Sequence, residues 1–269
     1  MDAKGALAAA FDTAPLGFTP RELEPGLFAM AMNTEDSLRE YLRLFVKVPL
    51  LSRLGPLART FDFVADAAPG VKEILAVGKL CYEVRERHYD LVVVDAEATG
   101  HIVSQITAPR AIRELVQVGM VRDQTEWMLT ILEDAATTGV LVVTTPEEMP
   151  VTETVELIER LGRETKISVA GVIANRVLPE PFGRGEAAIF DAIDEGGREV
   201  LVGQLGRPIE TVLDAARLAA RLRRTGAGHL ARLRTELPGL PVLYVPELFA
   251  RSGGRRAVEL VATAIGEEL

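Results

Sequence analysis

The chain has 269 residues, 48% of them hydrophobic and 26% charged, with a net charge of −9 and an isoelectric point near 5.1. That length and composition suit one large α/β core with a helical elaboration, and the acidic balance argues against a nucleic-acid backbone as partner. A single cysteine, Cys81, excludes an internal disulfide and a cysteine-rich metal site built within the chain, which fits a reducing cytoplasm. The N-terminal residues lack the basic-then-apolar pattern of a secretory signal, and no apolar run approaches the roughly 18 residues of a membrane span.

In chain order, Leu27 to Met32 reads as a weak extended segment, followed by an amphipathic helix starting after Thr34 as its cap. Residues 41 to 68 read as helical and rather apolar, broken at Pro49 and Pro56. Helical periodicity then covers Val71 to Glu86, Thr107 to Ala135, Val151 to Glu164, Ile209 to Leu237 and Gly254 to Glu268. Between these lie four short β-branched runs without alternation: Leu91 to Asp95, Val140 to Thr145, Val169 to Asn175 and Val242 to Val245. Such runs are expected of strands covered by helices on both faces. Strands alternating with helices predict a doubly wound, mainly parallel α/β sheet. Pro179 to Gly197, rich in glycine and acid, reads as a surface connection, and the arginines at 221, 223, 224, 232 and 234 as the solvated face of a helix. The 25 Arg against 5 Lys fit GC-rich coding.

In open parallel sheets ligands bind beyond the carboxyl ends of the strands. There the sequence places Asp95-Ala96-Glu97-Ala98-Thr99-Gly100-His101, then Thr144-Thr145-Pro146-Glu147-Glu148, then Asn175-Arg176, then Pro246-Glu247. Carboxylate, hydroxyl, amide and guanidinium groups are the mixture that a Mg-nucleotide requires. Asp95 ends four consecutive apolar residues, a costly position for a carboxylate unless it is paired or used. Thr99 and Gly100 serve equally well as turn chemistry, and Asn175 as a local backbone cap. His88 and His229 read as ordinary polar residues. Gly78-Lys79 is similar to the end of a phosphate loop but sits inside a helical pattern. No G-x-x-x-x-G-K-[ST] loop occurs in residues 1–269.

Together these segments resemble the ATPase family of the arsenical pump and of the Get-pathway carrier of tail-anchored proteins, most of all its shorter bacterial homologues. Asp95 to His101 is similar to the family's Asp-Thr-Ala-Pro-Thr-Gly-His switch, with Ala96, Glu97 and Ala98 in the middle. TTPEEMPVTETVELIERL (Thr144 to Leu161) is similar to its Pro-Glu-rich strand end and following helix. VAGVIANRVLP (Val169 to Pro179) resembles the segment whose Asn reads the adenine, and VLYVPEL (Val242 to Leu248) the late loop that packs on it.

The resemblance implies a P-loop NTPase-like fold and use of ATP and Mg²⁺. Asp95 would hold the Mg²⁺ shell, Thr99, Gly100 and His101 would respond to the γ-phosphate, and Asn175, Arg176 and Pro246 would hold the base. Asp2 would match the first-switch aspartate that orients the attacking water. Residues 1–269 would then form a single domain lacking the family's N-terminal phosphate-loop segment, with 33–70 as a helical elaboration. The missing cradle takes phosphate-binding amides, a lysine and a Mg²⁺-binding hydroxyl with it, and Glu97 adds negative charge near the γ-phosphate. As an isolated chain the ATPase is expected to be inactive.

One lone cysteine supplies neither the pump's three-thiolate arsenite site nor a Cys-x-x-Cys zinc clasp. The scattered methionines do not mark a client groove, so the apolar helices around Tyr41 to Phe63 and Met120 to Leu132, with Trp127, are expected to be core or dimer surface. The implied partners are a second copy or an intact paralogue in a cytoplasmic dimer, together with a client or membrane protein. The competing expectation is a non-catalytic pseudo-ATPase that acts as an interaction subunit beside an intact paralogue.

Overall fold

The computed structural model describes residues 6–41, 71–96, 99–115, 119–249 and 253–269. Asp2, Glu97, Ala98 and most of the expected helical elaboration lie outside them. The chain divides into two compact units, one of residues 1–140, 156–169 and 252–259, the other of 141–155, 170–251 and 260–269. Among the described residues no helix is long and apolar enough to cross a membrane.

The first unit begins with a short helix α1 (Ala6–Ala10) and an antiparallel hairpin of β1 (Arg21–Glu24) and β2 (Leu27–Ala29). The weak extended segment thus proves to be half of a hairpin, turned at Gly26 with φ +80°, a conformation open to glycine at little cost. Helix α2 (Thr34–Tyr41) is capped one residue earlier than expected, by Asn33, whose Oδ1 accepts the Asp36 amide at 2.8 Å. Helix α3 (Val71–Arg85) packs on α2 and on two further helices, α4 (Thr99–Leu115) and α5 (Met120–Leu132). The single helix expected over 107–135 is therefore two. Gly119, at φ +93°, precedes the second, and the first begins eight residues early, so Thr99-Gly100-His101 opens a helix rather than forming a loop.

The core here joins Val77, Cys81 and Met128, flanked by Ile74, Trp127, Ile131 and Leu132. Gly78 permits the close approach: a Cβ there would lie 2.9 Å from Met128 Cε. Trp127 is only partly buried and carries the Arg85 guanidinium 4.4 Å from its ring. Burial pushes the Cys81 thiol up to about 12, so it is an inert core group. Lys79 reaches Glu40 of α2 at 2.8 Å and also Glu83. Burial alone would lower its pKa, but the two carboxylates outweigh that and hold the ammonium above its usual range.

A three-stranded sheet has the order β3 (Gly139–Thr144), β4 (Ser168–Val177), β5 (Val242–Pro246). β4 and β5 run parallel, with Val172 opposite Val242 and Ala174 opposite Tyr244. Val172 and Ala174 are fully buried, as is Val245. α6 (Glu148–Glu164) follows β3 and buries Val151, Val155, Leu157 and Leu161 at helical spacing. The expected surface connection after β4 instead holds α7 (Arg184–Asp191) and α8 (Glu195–Leu205). Their starts are set by local capping, with the Glu186 carboxylate accepting the Gly183 amide and Asp194 accepting that of Gly197. Then come α9 (Pro208–Glu236) and, after β5, α10 (Gly254–Glu268), both close to expectation.

One expected strand is missing, and one that forms is not buried on both faces. Leu91 to Asp95 forms no strand: Leu91 is 78% and Val93 83% exposed. β3 is covered on one face only, by burial of Val142 and Thr144, while Leu141 and Val143 are 55% and 61% exposed. Apolar character makes a segment competent to be a strand, but a ladder needs a neighbouring edge. Among the described residues Leu91 to Asp95 has none.

Candidate functional site

The carboxyl end of β4 is irregular. Between Ala174 and Val177 the pairing with β5 shifts register, and the two residues inside the shift are Asn175 and Arg176. Arg176 has φ +61°, the left-handed region that costs a non-glycine residue about 1 kcal/mol. A bulge of this kind turns side chains away from the regular pleat, and strain of this kind gathers at binding sites.

Three contacts hold it. Asn175 Oδ1 accepts the Arg176 amide at 2.9 Å, the Arg176 guanidinium donates to Glu247 at 2.7 Å, and the Glu247 amide donates to the Val177 carbonyl at 2.9 Å. Glu247 keeps the Arg176 guanidinium above its ordinary pKa, with a smaller contribution from Glu147. Asn175, Arg176 and Pro246 are thus brought together at one end of the sheet. Glu247 is the residue that ties them, and its position just after Pro246, like Glu147 after Pro146, was its signal. The Asn175 Nδ2 group donates to no described residue, and the residue is half-buried. A long helix supports the same end: Gly226 of α9 approaches Pro146 so closely that a Cβ would lie 3.2 Å from its carbonyl oxygen, and Arg232 donates to Thr152 at 3.2 Å.

The other predicted group lies in the first unit. Asp95 is exposed, not buried at a strand tip, so the burial argument for it fails even though its place in the sequence stands. Thr99 and Gly100 are the first residues of α4, and His101, in the same turn, is exposed. Asp95 therefore precedes a helix N-terminus, whose unpaired amides favour anions. Among the described residues no group of three or more His, Cys, Asp or Glu side chains could hold a metal ion. One carboxylate is nevertheless compatible with Mg²⁺, which takes few protein ligands and completes its shell with phosphate oxygens and water.

A family profile described as anion-transporting ATPase matches residues 2–121 and 113–192, which takes in the Asp95 to His101 segment and the β4 bulge. The chain belongs to the ArsA ATPase family. ATPase BagA of Mycobacterium tuberculosis is 28% identical over 244 residues, covering 82% of this chain and 71% of the relative, and the putative ATPase Mb3704 of Mycobacterium bovis aligns to the same extent. The ATPase ASNA1 homolog of Entamoeba dispar is 25% identical over 162 residues, 48% of each chain. ArsA-family membership together with the parallel sheet and its flanking helices makes the fold P-loop NTPase-like α/β.

Proposed function

We propose that this ArsA-family chain contributes the base-binding and Mg²⁺-orienting parts of an ATP site in a cytoplasmic, dimeric ATPase that switches conformation on a client or transport partner. The observation that carries this reading is the bulged end of β4. It presents Asn175 beside Arg176, fixed to Glu247, at the carboxyl edge of the sheet where nucleotides bind in open α/β folds. The donor set fits a purine: the half-buried Asn175 amide offers its Nδ2 as donor, and its Oδ1, already accepting the Arg176 amide, keeps a second lone pair, the donor–acceptor pair that adenine recognition requires. Asp95 and the N-terminal turn of α4, with Thr99, Gly100 and His101, fit Mg²⁺ and phosphate in chemistry. Bound Mg²⁺ would supply charge neutralisation at the phosphates; the chain's own groups orient the base and the ion. Residues 1–269 carry no phosphate loop, so in this reading the cradle comes from polypeptide outside them.

That same lack favours the second reading, a non-catalytic subunit acting beside an intact paralogue. Calorimetric titration of residues 1–269 with Mg-ATP and with AMP tests both. The first reading expects weak binding of either nucleotide, lost in Asn175→Ala, and turnover no faster than background because positioning and charge stabilisation are both missing. Saturable Mg-dependent hydrolysis abolished by Asp95→Asn would show a complete site within these residues. AMP binding that is indifferent to Asn175→Ala would remove the base-binding role and leave the subunit reading.

A further inference from the structure

Helix α9 carries two stripes, and each faces a different neighbour. Leu213, Arg217, Ala220 and Arg224, spaced four, three and four, lie on the side of the preceding helices. Leu213 and Ala220 are buried there, Arg217 donates to the Ile193 carbonyl at 2.9 Å, and Arg224 donates to Asp191 of α7 at 2.9 Å. The second stripe is Ala215, Leu218, Leu222, Gly226, Leu230 and Leu233. From Gly226 onward it is buried, with Gly226 against Pro146 just past β3. Before Gly226 each member is exposed, Leu218 at 54% and Leu222 at 51%. One continuous face thus changes from buried to bare where the helix passes Pro146. Later in the helix the Arg234 guanidinium lies 4.9 Å from the Tyr244 ring, midway along β5, so α9 enters from beyond the carboxyl end of the sheet and runs back along it. The bare part, about 16 Å from Gly226 back to Ala215, overhangs that end.

The overhang begins between the ends of β3 and β4. Arg223, beside Leu222, reaches toward Glu180, five residues past Asn175, with its Nη2 at 3.9 Å, too far for a hydrogen bond. Its Nε is buried and has no acceptor among the described residues, a costly state for a charged group. A bare apolar side chain and a buried donor without an acceptor therefore stand next to each other at the end of the sheet that holds Asn175. A nucleobase is apolar on its faces and carries acceptors on its edge, and its ribose adds hydroxyl oxygens, so one nucleoside satisfies both groups. We propose that α9 roofs the base site: Leu222, with Leu218 behind it, packs on the face of the base whose edge Asn175 reads, and Arg223 donates to the nucleoside. This role rests on the base-binding reading of Asn175 and adds to it the apolar wall that a strand end alone does not supply.

Calorimetric titration of residues 1–269 with AMP, and with ribose 5-phosphate, tests it. AMP is expected to bind at least about tenfold tighter than ribose 5-phosphate, since the roof holds the base. Leu222→Gln should raise the AMP dissociation constant about fivefold, and Leu218→Gln with Leu222→Gln at least about tenfold. Leu222→Met should stay within about twofold of the native chain. Arg223→Met should raise the constant about fivefold without lowering the thermal midpoint, because that guanidinium has no hydrogen bond to lose in the free chain. Val200→Gln, exposed on α8, is the control and should change nothing. AMP affinity that falls in Asn175→Ala but holds in the Leu222 and Arg223 variants overturns the roof and leaves the base-binding reading standing. A native chain that binds no AMP, or binds ribose 5-phosphate equally well, overturns both.

Discussion

The Arg176 guanidinium donates to the Glu247 carboxylate at 2.7 Å, joining the carboxyl ends of β4 and β5 across 71 residues of sequence. Arg176 does this from a left-handed backbone with φ +61°, so the side-chain contact and the backbone strain oppose each other. Two substitutions separate them. Arg176→Ala loses the contact and keeps the strain; Arg176→Gly loses both. Arg176→Gly is therefore expected to be the more stable by about 1 kcal/mol, measured by urea unfolding. If alanine proves the more stable, the positive φ is not a cost in the folded chain.

The Lys79, Glu40 and Glu83 cluster makes α2 and α3 sensitive to both extremes of pH. For Glu83, burial alone would raise the pKa, but Lys79 and His88 outweigh it and hold the carboxyl below its usual 4.5. Its contribution is then present above about pH 4.5 and lost as pH falls through the depressed value. Lys79 is held above 10.5, so its contribution is present below that pH and lost as pH rises past the raised value. Lys79→Met takes the ammonium from Glu40 and leaves Glu83 only its contact with His88, and should cost about 3 kcal/mol. The variant should also recover stability on mild acidification, as Glu83 can then protonate. Thermal melts from pH 4 to 8 check this, and a variant that loses stability monotonically toward pH 4 would contradict it.

Gly254 begins α10 at φ +64°, and a Cβ there would lie 2.3 Å from both carboxylate oxygens of Asp12. Asp12 accepts the Arg255 amide at 3.0 Å, while the Arg255 side chain pairs with Glu24 at 3.0 Å. The staple ties the N-terminal hairpin region to the start of α10 within one unit. Gly254→Ala is expected to cost about 2 kcal/mol through strain and the displaced carboxylate. In Asp12→Ala the added cost of Gly254→Ala should fall to the strain alone, a non-additivity that a double-mutant cycle reads directly.

Much of this architecture was legible because it is local. α10 matches its expected bounds and α9 and α3 come within one residue, since a helix closes its own hydrogen bonds and needs only one apolar stripe. α7 and α8 were hidden by glycine and acidic composition; their capping by Glu186 and Asp194 is local, but it shows only once the helices are seen. At the candidate site, Asn175 and Pro246 could be found as the ends of apolar runs. The bulge could not, because nothing in Asn175-Arg176 announces a positive φ at an arginine, and the tie to Glu247 is a long-range pairing. Leu91 to Asp95 failed for the same reason, since whether an apolar run becomes a strand depends on an edge elsewhere.

That last segment gives the sharpest test. Val93 is 83% exposed, so Val93→Lys removes no buried contact and should change stability by less than about 0.5 kcal/mol. It should also reduce aggregation, because a charge interrupts the run Leu91-Val92-Val93-Val94, which combines high β propensity with no charge of its own. Val142, one of the buried residues of β3 at 6% exposure, is the control: Val142→Lys places an unpaired charge in the sheet and should unfold the unit. Thermal melts with light scattering on both variants decide the matter. If Val93→Lys is as damaging as Val142→Lys, Leu91 to Asp95 is packed in solution as a strand, and the exposed run is not the resting state of these residues. If it is silent and more soluble, the segment awaits an edge that the described residues do not offer it.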